Sequence, residues 1–382
     1  MHVKHHGRGS AARRIMDTRP VHASVTDMSH NVQPIGWDVP ARHAEGGMAE
    51  SVEAGTISDH RCVDIAGPAG SASFAHLGLL AGSDQELLDG VVPYVEDGFR
   101  DGDLVLLSCP PPTASLITAA LGQRVTDVAV EGRITLHGAR VPDAVGLTGE
   151  WVRRAAGTPS GRLRIVGQVE FGSEPRSWRE GLRYEAAVNR LLAAEPVSAL
   201  CLFDSRLLPA EVLAGMGATH PTLLAGGRAW PSAGYRDPGD YVRRLPVPHE
   251  PVEDAGPAFS VADAASLAAL RAELRAVISA RVPDRDQAED LHFAASEVAS
   301  NAFRHGARPV SAGIWIDADR IVCAITDRGP GFDDPFTGFR PAHGDDLSLG
   351  GMGLWLARKL WDHVDLLPGA EGLTVRLSAP LH

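Results

Sequence analysis

Residues 296–306 read Ser-Glu-Val-Ala-Ser-Asn-Ala-Phe-Arg-His-Gly (SEVASNAFRHG), and the rest of the C-terminal third takes its meaning from them. Helix positions four apart share a face, so Glu297 and Asn301 project together while Val298 and Ala302 turn toward a core. An amide oxygen is a hard ligand suited to Mg²⁺. A carboxylate beside it can accept a proton from an attacking hydroxyl or water. By itself the pair is also what an ordinary solvated helix face offers.

Working outward, the segment lies in a helix expected from Asp284 to His305. Before it, VADAASLAALRAELRAVISARV carries an apolar stripe of Leu267, Leu270, Leu274, Val277 and Ile278, with Asp263 as the expected cap. After it, SAGIWIDAD and RIVCAITD read as a hairpin turning at Ala318-Asp319, GMGLWLARKLWDHV as a third helix, and GLTVRLSA as a last strand. Helices and an antiparallel sheet in one segment predict an α+β sandwich.

Three more motifs follow in order. Asp327-Arg328-Gly329-Pro330-Gly331-Phe332 (DRGPGF) leaves a strand. Its carboxylate can accept from an exocyclic amine, and its glycines let a flat base approach the backbone; an ordinary tight turn reads the same. Gly350-Gly351-Met352-Gly353-Leu354 opens a helix, where free backbone N–H groups face an anion. It is neither a Rossmann fingerprint, lacking a preceding strand, nor a Walker A loop, lacking Lys-Ser/Thr. Gly372-x-Thr374-x-Arg376 places a threonine in the last strand, as ligand contact or as surface residue.

Together, over about 120 residues, these motifs resemble the GHKL ATPases, named for gyrase, Hsp90, histidine kinases and MutL, which share the Bergerat sandwich. The resemblance implies ATP and Mg²⁺ as cofactors. By it Asn301 coordinates Mg²⁺, Asp327 holds the adenine, Gly329 and Gly331 line the base, Gly351 and Gly353 flank the triphosphate, and Thr374 lies near the adenine. Arg304, His305 and Leu354 belong to the same nucleotide-binding motifs. The E-x-x-x-N-A-x-x-H pattern and the short lid segment (DDPFTGFRPAHGDDLSLG) are similar to anti-sigma factor serine kinases of the RsbW and SpoIIAB type. That implies Glu297 as general base toward a serine of an anti-anti-sigma (STAS) partner, a sigma factor as second partner, and often a homodimer. A non-catalytic, partner-sequestering module is the alternative. A sensor histidine kinase needs a phosphoacceptor histidine on a helix, whereas His249-Glu250 is held between prolines.

Upstream, strands alternate with helices, predicting an α/β layer with a largely parallel sheet. A helix capped by Ser83 with Glu86 runs to Gly102; DLVLLSC, RITLHGA, RLRIVGQVEF and ALCLFD are strand candidates; SLITAAL and Trp178–Ala194 are helical. His76, ELLDGVVPYVEDGFRDGD, LVLLSC, ALCLFDSRLLPAEVL, THP and the later YRDP are similar to the MEDS sensory domain. That resemblance implies a RecA-like core with a degenerate P-loop, because Cys109-Pro110-Pro111-Pro112-Thr113 has no glycine or lysine to hold phosphate. Asp204 reads as a strand-end cap before it reads as a Walker B relic. His76 reads as a satisfied, partly buried histidine before it reads as a ligand.

The organisation expected is a disordered tail over 1–70, the sensory domain over 71–245, a proline-rich spacer over 246–257 and the ATPase domain over 258–382. Residues 1–70 have too few bulky apolar groups to offset their ordering entropy. A formal net charge of −12 argues against direct nucleic-acid binding. The chain has no apolar run of the ~18 residues a span requires, and no apolar stretch after its first basic residues, so a cytoplasmic location with no membrane partner is expected. Cys62, Cys109, Cys201 and Cys323 form no close pair and read as buried thiols.

Overall fold

A computed structural model describes residues 73–225, 228–332, 334–342, 352–370 and 372–382. The tail expected to be disordered, Cys62, Gly350, Gly351 and residues 343–349 of the lid lie outside the described residues.

The N-terminal part runs β1 (Ala75–Ala81), α1 (Asp84–Asp101), β2 (Leu104–Ser108), α2 (Pro111–Leu121), β3 (Val128–Val130), α3 (Val141–Ala155), β4 (Leu163–Gly167), α4 (Pro175–Leu191), β5 (Val197–Asp204), α5 (Ala210–Thr219), β6 (Thr222–Ala225), β7 (Arg228–Pro231) and α6 (Pro238–Arg244). The sheet order is β3-β2-β4-β5-β1-β6-β7. Every pairing is parallel except β6 with the edge strand β7. All eight residues of β5 are buried, as a parallel strand covered on both faces requires. The cap of α1 forms as read: Ser83 Oγ accepts from Glu86 N at 3.2 Å, Glu86 Oε2 accepts from Gly82 N at 2.7 Å, and Gly102 ends the helix.

One sequence expectation fails here for a local reason, and the reading of Asp204 holds. RITLHGA is not a strand: Gly132–Thr135 is a 3-10 turn. Thr135 Oγ1 donates to Ser108 O at 2.8 Å, a side-chain bond in place of a ladder bond, and β3 takes the place beside β2. Asp204 accepts from Arg206 N and Nε, both at 2.9 Å, so it serves as a strand-end cap.

The C-terminal part runs β8 (Phe259–Val261), α7 (Leu267–Arg281), α8 (Arg285–His305), β9 (Ser311–Ile316), β10 (Arg320–Asp327), α9 (Gly353–Leu360), β11 (His363–Gly369) and β12 (Gly372–Pro380). Its sheet is antiparallel throughout, in the order β11-β12-β10-β9-β8. Leu270, Leu274, Ile278, Leu291, Val298 and Trp361 fill the layer between helices and sheet. The cap of α7 is Ser266, not Asp263; Asp263 is instead paired with Arg308 at 2.8 Å. The third helix stops at Leu360, and His363-Val364 already belongs to β11.

The other face of this sheet receives the N-terminal domain. Asp365 of β11 lies 2.6 Å from Arg179 and 3.2 Å from Arg376, with Arg183 and Arg176 at 3.5 and 3.7 Å. Burial raises this carboxyl's pKa, but Arg179, Arg183, Arg376 and Arg176 outweigh it and hold it at about 2. The proline-rich segment read as a spacer with little to pack is drawn into the same interface. Glu250 is 1% exposed and pairs with Arg176 at 2.5 Å. Pro248 O accepts from both Arg176 and Arg376. Phe336 and Phe339, from the first half of the lid, pack into the N-terminal domain's core with Val141, Tyr184 and Val242. Among the described residues no helix is long and apolar enough to cross a membrane.

Candidate functional site

The cleft forms where the C-terminal half of α8 faces the ends of β10 and β12 and the start of α9. It holds about 450 Å³ of space, counting its open mouth. Asn301, Ala302 and His305 contribute one wall, Ile325 and Asp327 the floor, Gly331 and Phe332 one rim, and Leu354, Leu373 and Val375 the far side.

Asp327 is 6% exposed at the end of β10. Its Oδ1 accepts from Gly329 N–H at 2.7 Å, and Arg328 N donates to Ala307 O at 2.8 Å, tying the turn to the end of α8. A methyl on Gly306 would run into this carboxylate, and one on Gly329 would lie 2.7 Å from Oδ1. Both must therefore be glycine while the carboxylate keeps its place. A methyl on Gly353 would lie 2.8 Å from Asn301 Nδ2, so the first turn of α9 packs directly against the amide. The first three motifs thus meet in one cleft.

The remaining candidates are distributed unevenly. Glu297 sits one turn before Asn301 but is not part of the cleft wall; its Oε1 accepts from Arg271 Nη2 of α7 at 3.2 Å. His305 lines the cleft, whereas Arg304 is exposed and does not. Gly351 lies outside the described residues. Thr374 is turned away from the cleft: it pairs in register with Thr326 and shares a 2.8 Å hydroxyl hydrogen bond with it, while its neighbours Leu373 and Val375 line the site. Strand alternation allows no other outcome. Sequence reasoning missed the apolar lining of Ile325, Leu373 and Val375, which alternation within IVCAITD and LTVRL carries once the buried face is known. It also missed the requirement for Gly306.

A glycine-edged cleft between an asparagine-bearing helix and a strand-end aspartate, in this sandwich, defines a histidine kinase-like ATPase domain, and the family model of that description matches residues 260–379. The model of the MEDS domain (MEthanogen/methylotroph, DcmR Sensory domain) matches residues 75–221. The serine-protein kinase RsbW of Bacillus subtilis (strain 168) is 32% identical over 127 residues, 30% of this chain and 77% of that protein. The RsbW of Bacillus velezensis is 33% identical over 111 residues, 25% of this chain and 67% of that protein. The chain belongs, through its C-terminal domain, to the serine-protein kinase RsbW family.

Proposed function

We propose that this protein is an ATP-dependent serine/threonine protein kinase that regulates a sigma factor by phosphorylating an anti-anti-sigma (STAS) partner, under control of its MEDS domain. The observation that carries the reading is the convergence of Asn301, Asp327 and Leu354 on one cleft, with Gly353 packed against the Asn301 amide. The residues fit a magnesium nucleotide. A methyl at Gly306, Gly329 or Gly353 would crowd Asp327 or Asn301, as expected where a ligand must approach closely.

In this reading Asn301 holds Mg²⁺, Asp327 accepts from the adenine amine, and the first turn of α9 offers backbone N–H groups to phosphate. Bound ATP supplies the phosphoryl group, and its metal offsets charge on the phosphate oxygens. The apolar wall of Ile325, Leu373 and Val375 stacks the base and excludes water. Glu297, released from Arg271, takes the proton of the incoming serine hydroxyl. We read the N-terminal sheet as RecA-like without a phosphate-binding loop. Two contacts support its control of the kinase. Arg140, the N-cap residue of α3, donates to Lys359 O and pairs with Asp362, and Asp143 of α3 pairs with Lys359 at 2.7 Å, so the start of α3 grips the end of α9. Phe336 and Phe339 anchor the first half of the lid in the sensory core.

The Glu297–Arg271 pair favours a second reading, in which the domain binds nucleotide and sequesters its partner without transfer. Radiolabelled ATP with a purified STAS protein separates the two. Label on a partner serine supports the kinase. A stable unlabelled complex supports sequestration, and a chain that binds neither ATP nor ADP in the presence of Mg²⁺ overturns both.

A further inference from the structure

Four side chains from distant parts of the N-terminal domain meet in its interior: His76 of β1, Glu185 of α4, Cys201 of β5 and His220 just after α5. They are 3%, 1%, 7% and 0% exposed. One ligand-capable atom from each lies within 4.8 Å of all the others. His76 Nε2 is 3.2 Å from Glu185 Oε2 and 3.3 Å from Cys201 Sγ, and His220 Nε2 is 3.5 Å from the same carboxylate oxygen. A tetrahedron whose metal–ligand bonds are about 2.0–2.3 Å has edges of roughly 3.3–3.8 Å, close to these separations.

The outer nitrogens set the tautomers. His220 Nδ1 lies 3.0 Å from Met216 O, a carbonyl that can only accept, and 3.0 Å from Thr219 Oγ1, whose own hydrogen is directed to Gly215 O at 3.0 Å; this arrangement places the hydrogen on Nδ1. His76 Nδ1 lies 3.1 Å from Asn189 Oδ1. The amide cannot be flipped, because Asn189 Nδ2 donates to the carbonyls of Thr219 and Glu185 at 2.8 and 3.0 Å. Both imidazoles therefore turn Nε2 toward the carboxylate. This is the outer-shell pattern that orients metal-binding histidines. In the neutral rings two lone pairs then face an anion, and His220 Nε2 and both Glu185 oxygens have no hydrogen-bond partner. A single added proton can serve only one of the two Nε2 atoms, whereas a cation at the centre serves both and the carboxylate together. Two added protons would place two imidazolium rings 4.0 Å apart in a dry interior. A divalent ion with the carboxylate and the thiolate sums to zero charge.

We propose that His76, Glu185, Cys201 and His220 form a tetrahedral site for a divalent first-row transition metal, with Zn²⁺ the ion best matched to two imidazoles, a carboxylate and a thiolate. Binding displaces the Cys201 thiol proton to solvent. The site is independent of the nucleotide cleft, and its test uses no ATP.

The full chain is stripped with a chelator, checked for native circular dichroism, and reloaded with Zn²⁺ or Co²⁺ alone. Stoichiometric uptake is expected, with the visible bands of tetrahedral cobalt and a thiolate-to-cobalt charge-transfer band. Cys201→Ser should remove that band and Cys62→Ser should leave it, which separates this site from the histidines and cysteine of the N-terminal tail. X-ray absorption on the unmodified zinc protein needs no variant and should give one sulfur at about 2.3 Å among nitrogen and oxygen ligands. A folded chain that takes up no ion, a zinc shell without sulfur, or a charge-transfer band surviving in Cys201→Ser would overturn the assignment.

Discussion

The two faces of the C-terminal sheet use the same strands for opposite ends. Toward α8 and α9, Ile325, Asp327, Leu373 and Val375 line the cleft; toward the N-terminal domain, Asp365 and Arg376 enter a web of arginines. Each face buries a carboxylate. Asp327 is supported by a backbone N–H and glycine spacing, with no counter-charge paired to it among the described residues. Asp365 is surrounded by four guanidinium groups and is already saturated. Under the proposed function, the contrast teaches that a buried charge is left for a ligand where its surroundings are small and neutral. Where counter-charges already fill them, it marks an interface.

Mutations can break this contrast. The largest effect is expected at Glu297: Glu297→Gln should lower phosphoryl transfer by about 10²–10⁴-fold while calorimetry finds ATP affinity nearly unchanged. Equal losses in both would move Glu297 from proton acceptor to binding group. On the opposite face, Asp365→Ala takes from Arg179 the carboxylate it pairs with and leaves the arginine web short of one counter-charge; it should cost about 3–5 kcal/mol in urea unfolding, with little change in the affinity of the folded protein for ATP. The sign of its pH dependence follows from a folded pKa of about 2, below the ordinary carboxyl value. Its contribution is present above the unfolded pKa and is lost as pH falls through the folded one. The wild type should therefore lose about 2 kcal/mol between roughly pH 4 and pH 2 that the variant does not. Asp327→Asn should weaken ATP binding by roughly 10–150-fold, the value of a hydrogen bond to a charged group, and barely move Tm. The smallest effect sharpens the comparison most: Thr374→Val should change ATP affinity by less than about twofold, because its hydroxyl is engaged with Thr326 on the far face. A large loss there would reverse the assignment of faces.

How much of this was legible in the sequence depended on range. The cleft is written in short linear motifs, so Asn301, Asp327 and Gly353 could be placed on their elements before any coordinates. The facing of Thr374 could not be read because a strand's facing alternates at every residue, and nothing local says which half is buried. The three-residue strand β8 is too short to carry a pattern. The interface was illegible because its partners, Arg179 and Asp365, stand 186 positions apart. The same holds for His76, Glu185, Cys201 and His220, each of which alone looks like a satisfied core residue. RITLHGA misled because apolar alternation says nothing about Thr135 reaching across to Ser108.

Helix α4 has 17 residues. Arg176, Arg179 and Arg183 recur along one flank and reach the ATPase sheet, while Glu185 and Asn189 lie on the reverse and enter the histidine cluster. A helix is stiff over that length, so these two attachments behave as the ends of a crossbeam. Tightening one side by a fraction of an ångström must be absorbed either at the other side or by bending the beam, and the chain has no slack loop between them to take up the motion.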